Sequence, residues 1–275
     1  MSRAPLRTRY RTALVTGAGG GLGRAFADML RAEGVEVWGT SRRPESLRSA
    51  ERFHPVAFDL ADGDAAAESL LGRVDRECGG LDLLVNNAGY GVFGGILDQP
   101  LAVWRAQLDA LLGVPLALNR AALALMAPRR RGGIVNVTSM AVEFPIPFLS
   151  GYNVAKAGLA ALTESLVLEA PATGITFLDF RAGDYRTGFN QAMFASPPET
   201  MPAAAQRVAR RLDATLAAAP RPDRAARDLR RALARGRSGV VRSGSFFQTV
   251  LAPLGVRLMP LALRRAAMAR YFGAR

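Results

Sequence analysis

A chain of 275 residues with 49% hydrophobic content can bury a substantial core, and we interpret residues 1–275 as a single domain. No uninterrupted apolar run approaches the length of a membrane-spanning helix and no secretory signal is recognisable, so a cytoplasmic location is expected. Cys78 is the only cysteine and His54 the only histidine, which leaves no disulfide and no cluster of metal ligands.

The net charge of +13 is confined to the last quarter of the chain. Residues 1–204 hold 20 basic and 20 acidic side chains, whereas residues 205–275 hold 16 arginines and 3 aspartates, an excess that accounts for the whole net charge. The sequence has no zinc-finger spacing and no basic helix within a helix-turn-helix pattern. Nucleic acid is therefore not expected as a partner.

The first predicted strand, residues 12–16, leads directly into a glycine-rich turn and then a helix. Gly17, Gly21 and Gly23 lie where the chain leaves the strand and begins the helix. Such a turn lets backbone amides and the positive end of the helix approach a pyrophosphate. The pattern indicates a dinucleotide site, with a merely flexible loop as the alternative.

The second predicted strand, residues 35–40, is followed by two arginines where a dinucleotide-binding fold meets the adenosine ribose. An acid at this place favours the free 2′-hydroxyl of NAD, whereas an arginine suits the 2′-phosphate of NADP. Arg42 therefore predicts NADP(H) rather than NAD(H). The alternative is that Arg42 and Arg43 are solvated loop charges.

Two further predicted strands bring polar residues to the same edge of the sheet. Residues 55–58 end at Asp59, and residues 81–85 run into the Asn-Asn-Ala-Gly segment at 86–89. Because ligands of parallel sheets bind at the carboxyl ends of the strands, we expect this segment beside the cofactor.

Residues 101–126 form a long, mostly apolar helical stretch in which Pro115 should interrupt the hydrogen-bond ladder. A helix that is apolar on most sides is buried or self-associating. The stretch therefore predicts either a subunit interface or a core helix.

The fifth predicted strand, residues 134–138, delivers Ser139, and Tyr152 and Lys156 follow on a helix. Residues four apart share a helix face, so the lysine ammonium should lower the phenol pKa from its usual value of about 10 and make Tyr152 a general acid or base. Lys156 is the only lysine in a chain whose other long cations are all arginine. That retention indicates a role that a guanidinium cannot fill.

These residues together resemble the short-chain dehydrogenase/reductase family over roughly residues 10–190, and more weakly to about 245. The resemblance implies a single doubly wound parallel sheet of the Rossmann type, with helices on both faces. The motifs that carry it are Thr16, Gly17, Gly21 and Gly23 as the TGxxxGxG cofactor turn, Asp59 as the adenine-contacting acid, Asn86 to Gly89 as the NNAG segment, and Ser139, Tyr152 and Lys156 as the catalytic residues.

The resemblance also assigns the surroundings of the nicotinamide. Asn87, Ala88 and Gly89 lie beside the cofactor, Lys156 holds its ribose, and Thr187 ends the loop 181–187, which corresponds to the family's PGxxxT. Two positions depart from the family pattern. Ala182 stands where proline is usual, and Leu111 stands where the family places an asparagine that helps to hold a water chain feeding protons to the lysine.

The implied reaction interconverts a ketone and its secondary alcohol. Tyr152 would donate the proton, Ser139 would hydrogen-bond the carbonyl oxygen, and NADPH would carry the hydride. The flanking residues 140–149 and 185–194, which include Phe189 and Met193, are apolar and predict a hydrophobic substrate. They could equally pack as core or as dimer contacts. Glu143 could face either the pocket or solvent.

The C-terminal part is interpreted as a substrate-loop and lid region, residues 187–235, followed by a strand at 239–242 and a basic extension, residues 245–275, with an apolar helix over 250–272. Its arginines fit an acidic carrier protein or coenzyme A bearing the substrate, an anionic membrane surface, or another subunit. A solvated surface that binds nothing is the alternative.

The sequence thus favours an NADP(H)-dependent oxidoreductase acting on a hydrophobic or carrier-linked carbonyl, assembled as a homodimer or homotetramer. The rival is a dinucleotide-binding sensor or scaffold that has lost turnover, motivated by Leu111 and Ala182. Retention of Lys156 argues against the rival, because a binding module has no need of the only lysine.

Overall fold

The computed structural model describes residues 5–47, 49–189, 193 and 201–274, and within these residues seven parallel strands form one sheet. The order β3-β2-β1-β4-β5-β6-β7 confirms the predicted doubly wound arrangement. The strands are β1 (Thr12–Val15), β2 (Glu36–Ser41), β3 (Phe53–Ala57), β4 (Leu83–Asn86), β5 (Gly132–Ser139), β6 (Ile175–Ala182) and β7 (Gly239–Ser243).

Helices cover both faces of the sheet. Helices α1 (Gly21–Ala32) and α7 (Asp223–Arg235) pack on one face, and α2 (Gly63–Cys78) packs on the other together with α4 (Val114–Met126). Helix α5 (Ser150–Glu169) contacts β5 and β6. The strand order reverses between β1 and β4, so a crevice opens there at the carboxyl ends of the strands.

The long apolar stretch is nearly continuous, with α3 (Leu101–Leu108) joined to α4 by a π-helical turn, Asp109–Gly113. Pro115 has no N–H to donate, and the ladder widens just before it, where Val114 N–H bonds the carbonyl of Asp109. Segment Leu101–Arg129 is apolar and long enough to cross a membrane by composition alone. Half of its most apolar window is buried inside the fold, as expected of a core helix.

The prediction of one helix over residues 250–272 is wrong. A π-helical turn, Phe247–Leu251, leads into α8 (Ala252–Leu258), and a separate helix α9 (Leu261–Phe272) follows. Pro260 disfavours helical backbone in the residue before it, and Met259 is extended. The C-terminal segment therefore bends at this proline.

Two helices split at residues 220–222 were predicted and are present, as α6 (Ala203–Ala217) and α7. They have different surroundings. Helix α7 packs against α1 in the main core, whereas α6 joins α9 and Phe93 in a smaller apolar cluster beside the crevice. Movement of this region as a lid stays a prediction.

Candidate active site

One cavity of about 1470 Å³ runs along the carboxyl ends of the strands, from the glycine turn to the C-terminal helices. It brings together most of the predicted site residues, while Thr16 and Gly23 lie behind its wall. The predicted residues that line it are Gly17, Gly21, Arg42, Asp59, Asn87, Ala88, Gly89, Ser139, Tyr152, Lys156 and Thr187.

The glycine turn has the shape that a dinucleotide phosphate requires. Gly17 and Gly21 have φ values of 70° and 52°, a left-handed conformation that favours glycine. A Cβ on Gly23 would lie 2.2 Å from the carbonyl oxygen of Gly17 and 2.5 Å from Nδ2 of Asn87. Only glycine therefore lets the start of α1 approach the turn, so the residues present fit a bound dinucleotide.

We expect Gly23→Ala to lower the melting temperature by about 2–6 °C and to weaken dinucleotide binding, because the new methyl group overpacks this contact by ~1–3 kcal/mol. Thermal melts and cofactor titration measure both effects. Gly72→Ala in α2 is the matched control, since its nearest neighbour is the flexible end of Arg76 at 3.4 Å. Equal melting of the two variants would contradict the prediction.

Thr16 positions the segment after β4. Its Oγ1 accepts hydrogen bonds from the backbone N–H groups of Asn87 and Ala88, both at 2.9 Å. In return, Nδ2 of Asn87 donates to the Thr16 carbonyl at 2.9 Å. Thr16 thus holds this part of the cavity wall without lining the cavity itself.

The cavity reaches the end of β2. Arg42 and Arg43 are both exposed there, and Arg42 lines the cavity whereas Arg43 lies outside it. The carboxylate of Asp59 accepts the N–H of Ala61 at 3.1 Å and so caps the short turn after β3. Thr187 lies against the glycine turn, because a Cβ on Gly21 would be 3.2 Å from its Cγ2. The loop after β6 therefore meets the glycine turn across the cavity.

Ser139 ends β5, and Tyr152 and Lys156 project from α5 toward it. The ammonium of Lys156 donates to the carbonyl of Val137 at 2.8 Å and lies 5.8 Å from the centre of the Tyr152 ring. The same ring meets Phe189 edge-on at 5.7 Å. A strand end and one helix face thus bring the three predicted catalytic side chains to one point of the cavity.

The expectation that the Tyr152 pKa is lowered is wrong for this structure. Burial raises the pKa of Tyr152 to about 12, the hydrogen bond with Ser139 lowers it and the charge of Asp184 raises it further. Burial also lowers the pKa of Lys156 to about 8, opposed by Asp179. Desolvation at the site therefore outweighs the effect expected from the i, i+4 spacing.

The apolar segments predicted to flank the site do line the cavity. From residues 140–149 the lining side chains include Met140, Phe144 and Leu149, and from residues 185–194 they include Phe189 and Met193. Residues 190–192 and Phe194 lie outside the described residues.

Glu143 faces neither the pocket nor bulk solvent. Its carboxylate pairs with Arg181 at 2.8 Å and with Arg242 at 2.6 Å, and Arg181 also pairs with Asp179 at 2.7 Å. The glutamate therefore belongs to a largely buried ionic network that ties the turn after β5 to β6 and β7.

Comparison with known proteins agrees with this geometry. The model of the short chain dehydrogenase family matches residues 11–197, more than half of the chain. The chain belongs to the short-chain dehydrogenase/reductase (SDR) family. A bovine relative, dehydrogenase/reductase SDR family member 4, is 32% identical over 203 residues, which are 71% of this chain and 72% of that protein. A short chain dehydrogenase of Pseudocercospora fijiensis is 33% identical over 175 residues, 60% of this chain and only 56% of the fungal protein.

Solved structures show the same SDR fold. A short-chain dehydrogenase from Streptomyces avermitilis superposes with a TM-score of 0.79 at 27% identity, covering 95% of this chain and 96% of that one. SDR structures from Burkholderia cenocepacia, with NADP, and Burkholderia phymatum, with NAD, give TM-scores of 0.74 and 0.75 at 22% identity. They cover 96% and 94% of this chain and 98% and 94% of their own. Likeness of fold therefore does not distinguish the two cofactors.

Leu111, which the sequence predicts to stand at the family's asparagine position, lies close to Gly89. A Cβ on Gly89 would lie 3.1 Å from Cδ2 of Leu111 and 3.8 Å from the Lys156 ammonium, so both side chains lie close to Gly89. Asn119 does not replace the missing amide, because its Nδ2 donates to the Pro115 carbonyl at 2.7 Å and to Oδ1 of Asn136 at 2.9 Å. The assignment of Leu111 to the family's asparagine position stays a prediction.

Two features of this SDR site escaped the sequence reasoning. Asp184, in the loop after β6, lines the cavity, and Nε2 of Gln248 donates to its carboxylate. Residues of the C-terminal segment form a further part of the wall, among them Phe247, Leu251 and Tyr271. Asp184 lies within the loop 181–187 that the sequence had singled out. Its partner Gln248 is 64 residues away, and no local pattern relates the two.

Proposed function

We propose that this SDR protein is an NADP(H)-dependent oxidoreductase that interconverts a hydrophobic ketone and its secondary alcohol. The observation that carries the proposal is the convergence of Ser139, Tyr152 and Lys156 in one cavity with a glycine turn that fits a dinucleotide. A cavity of about 1470 Å³ has room for a cofactor together with a substrate.

In reduction, the carbonyl carbon gains a hydride and the carbonyl oxygen gains a proton. NADPH supplies the hydride when bound at the glycine turn and at Lys156. Tyr152 gives its phenolic proton to the oxygen, and the Ser139 hydroxyl donates a hydrogen bond to the oxygen as negative charge develops there. With a pKa of about 8, Lys156 is largely cationic at neutral pH and stabilises the phenolate that Tyr152 leaves. Oxidation of the alcohol is the reverse.

The proposed preference for NADP(H) rests on Arg42, which lines the cavity at the end of β2. We expect Arg42→Ala to weaken NADPH binding about 10- to 100-fold, the value of charge-assisted hydrogen bonds to a phosphate, and to leave NADH binding nearly unchanged. Fluorescence titration of both dinucleotides measures this without turnover. Arg43→Ala is the matched control, and equal losses for NADPH and NADH would contradict the assignment.

The charge of Asp184 determines in which direction the pH profile of alcohol oxidation should move when Asp184 is replaced. Because this charge raises the Tyr152 pKa, the neutral variant Asp184→Asn should lower it. Tyr152 accepts a proton during alcohol oxidation, so the pH profile of kcat/KM should shift toward lower pH in the variant. Asp223→Asn, an exposed change on α7, should leave the profile unchanged. An unshifted profile in Asp184→Asn would mean that the charge does not influence the tyrosine.

The second candidate is a dinucleotide sensor or scaffold with little turnover, which the apolar Leu111, predicted at the family's asparagine position, favours. NADPH oxidation assayed with a panel of hydrophobic ketones distinguishes the two. Turnover of any ketone supports the oxidoreductase, whereas tight NADPH binding without turnover on the whole panel supports the sensor. A cytoplasmic location and a homodimer or homotetramer complete the proposal.

A further inference from the structure

An apolar stripe follows the outer side of the C-terminal segment. Phe247, Val250, Leu251, Leu254 and Leu258 are spaced i, i+3, i+4, i+7 and i+11 along the π-helical turn and α8, and each is between 46% and 75% exposed. A helix of a soluble domain normally buries such a stripe. Its exposure here marks an interaction surface.

Arginines lie among exposed leucines on the next helix, α9. Leu261 and Arg265 are one turn apart on one face, and Leu263 and Arg270 are two turns apart on another. All four side chains are exposed. Each of these two faces of α9 thus offers an apolar side chain and a positive charge.

Helix α6 adds charge and holds α9 in place. Nε of Arg207 donates to the carbonyl of Gly273 at 3.0 Å, and the guanidinium of Arg211 lies 5.5 Å above the Tyr271 ring. Residues 205–275 carry the entire net charge of the chain. The π-helical turn, α8 and α9 themselves, residues 247–272, hold four arginines and no acidic residue.

The stripe is continuous with the wall of the catalytic cavity. Phe247 and Leu251 belong to both, and Met259, Arg264 and Tyr271 continue the wall. Leu254 and Leu258 belong to the outer surface alone. A partner that covers the stripe would therefore lie next to the substrate space.

The charge selects the partner. A second copy would bring four arginines and no acidic residue from residues 247–272 of each chain toward each other, which like-charge repulsion opposes. An anionic lipid surface offers phosphates to the arginines and an apolar phase to the leucines at once. We propose that the segment formed by the π-helical turn, α8 and α9 docks the protein on an anionic membrane surface.

Vesicle flotation of the purified full chain tests this docking and needs no turnover. We expect binding to phosphatidylcholine vesicles that contain phosphatidylglycerol, little binding to phosphatidylcholine alone, and release as salt rises. Leu254→Glu combined with Leu258→Glu should weaken binding at least about 10-fold, because charge replaces the apolar contact. Arg265→Ala combined with Arg270→Ala should weaken it about 30-fold, from ~1 kcal/mol per arginine.

Leu168→Glu is the matched control, because Leu168 is 72% exposed on α5, comparable to the 75% of Leu258. It should bind vesicles as the wild type does, with circular dichroism confirming that all variants fold. Absence of wild-type binding to anionic vesicles at low salt would overturn the proposal. The proposal would also be overturned if the Leu254→Glu, Leu258→Glu variant bound vesicles as the wild type does but lost an oligomer in light scattering. The face would then be a subunit interface.

Discussion

Tyr152→Phe is expected to lower kcat/KM for ketone reduction by about 10²–10⁴, the usual contribution of a positioned general acid. The variant loses the phenolic hydroxyl that interacts with Ser139, while the ring keeps its edge-on contact with Phe189. NADPH affinity and melting temperature should therefore stay close to those of the wild type. Steady-state kinetics with fluorescence titration separates loss of chemistry from loss of binding.

Tyr90→Phe provides the matched control, because Tyr90 lines the same cavity and the chemical change is identical. It should retain turnover within a few-fold of the wild type. If Tyr152→Phe retained full activity, Tyr152 would not be the proton donor. If both variants lost activity equally, the effect would belong to the cavity and not to Tyr152.

Lys156→Met is expected to abolish most turnover and at the same time to stabilise the ligand-free protein by about 3 kcal/mol near pH 7. Burial lowers the pKa of Lys156 from 10.5 to about 8, and each unit corresponds to ~1.4 kcal/mol against the charged folded state. Methionine has a similar length and removes this cost. Urea unfolding measures the stability, and ketone reduction measures the activity.

The sign of the pH dependence follows from the same shift. Between about pH 8 and 10.5 the folded wild type holds fewer protons on Lys156 than the unfolded chain does, so wild-type stability rises through this window. The methionine variant lacks this gain, and its advantage should shrink as pH rises. A variant that is less stable than the wild type at pH 7, or an advantage that is constant with pH, would contradict the assignment.

The cofactor half of the site was readable because its signals are local. A strand followed directly by Gly17, Gly21 and Gly23 predicts a turn whose backbone must approach another group, and the contacts of Gly23 confirm that no side chain fits there. Pro115 likewise predicted the altered hydrogen-bond ladder within the long helix from its missing N–H. Pro260 carried the same kind of signal, and the prediction of a continuous helix overlooked it.

The substrate half was less readable because it joins distant segments. Asp184 is held by Gln248, Glu143 by Arg181 and Arg242, and each contact joins different elements of the fold. Apolar spacing in residues 247–258 predicts a helix. It does not indicate whether the apolar side faces the core, the cavity or the outside.

By itself the sequence determined which motif follows which strand, where the glycine turn lies, and that Tyr152 and Lys156 share a helix face. These features depend on residue type and on spacing along the chain. Only the tertiary structure determined the pKa values of the two side chains on that face. Burial, which is set by everything packed around a side chain, raises the tyrosine pKa to about 12 and lowers the lysine pKa to about 8. The tertiary structure also decided that Leu111 lies close to Gly89, since that approach depends on how the π-helical turn meets the segment after β4.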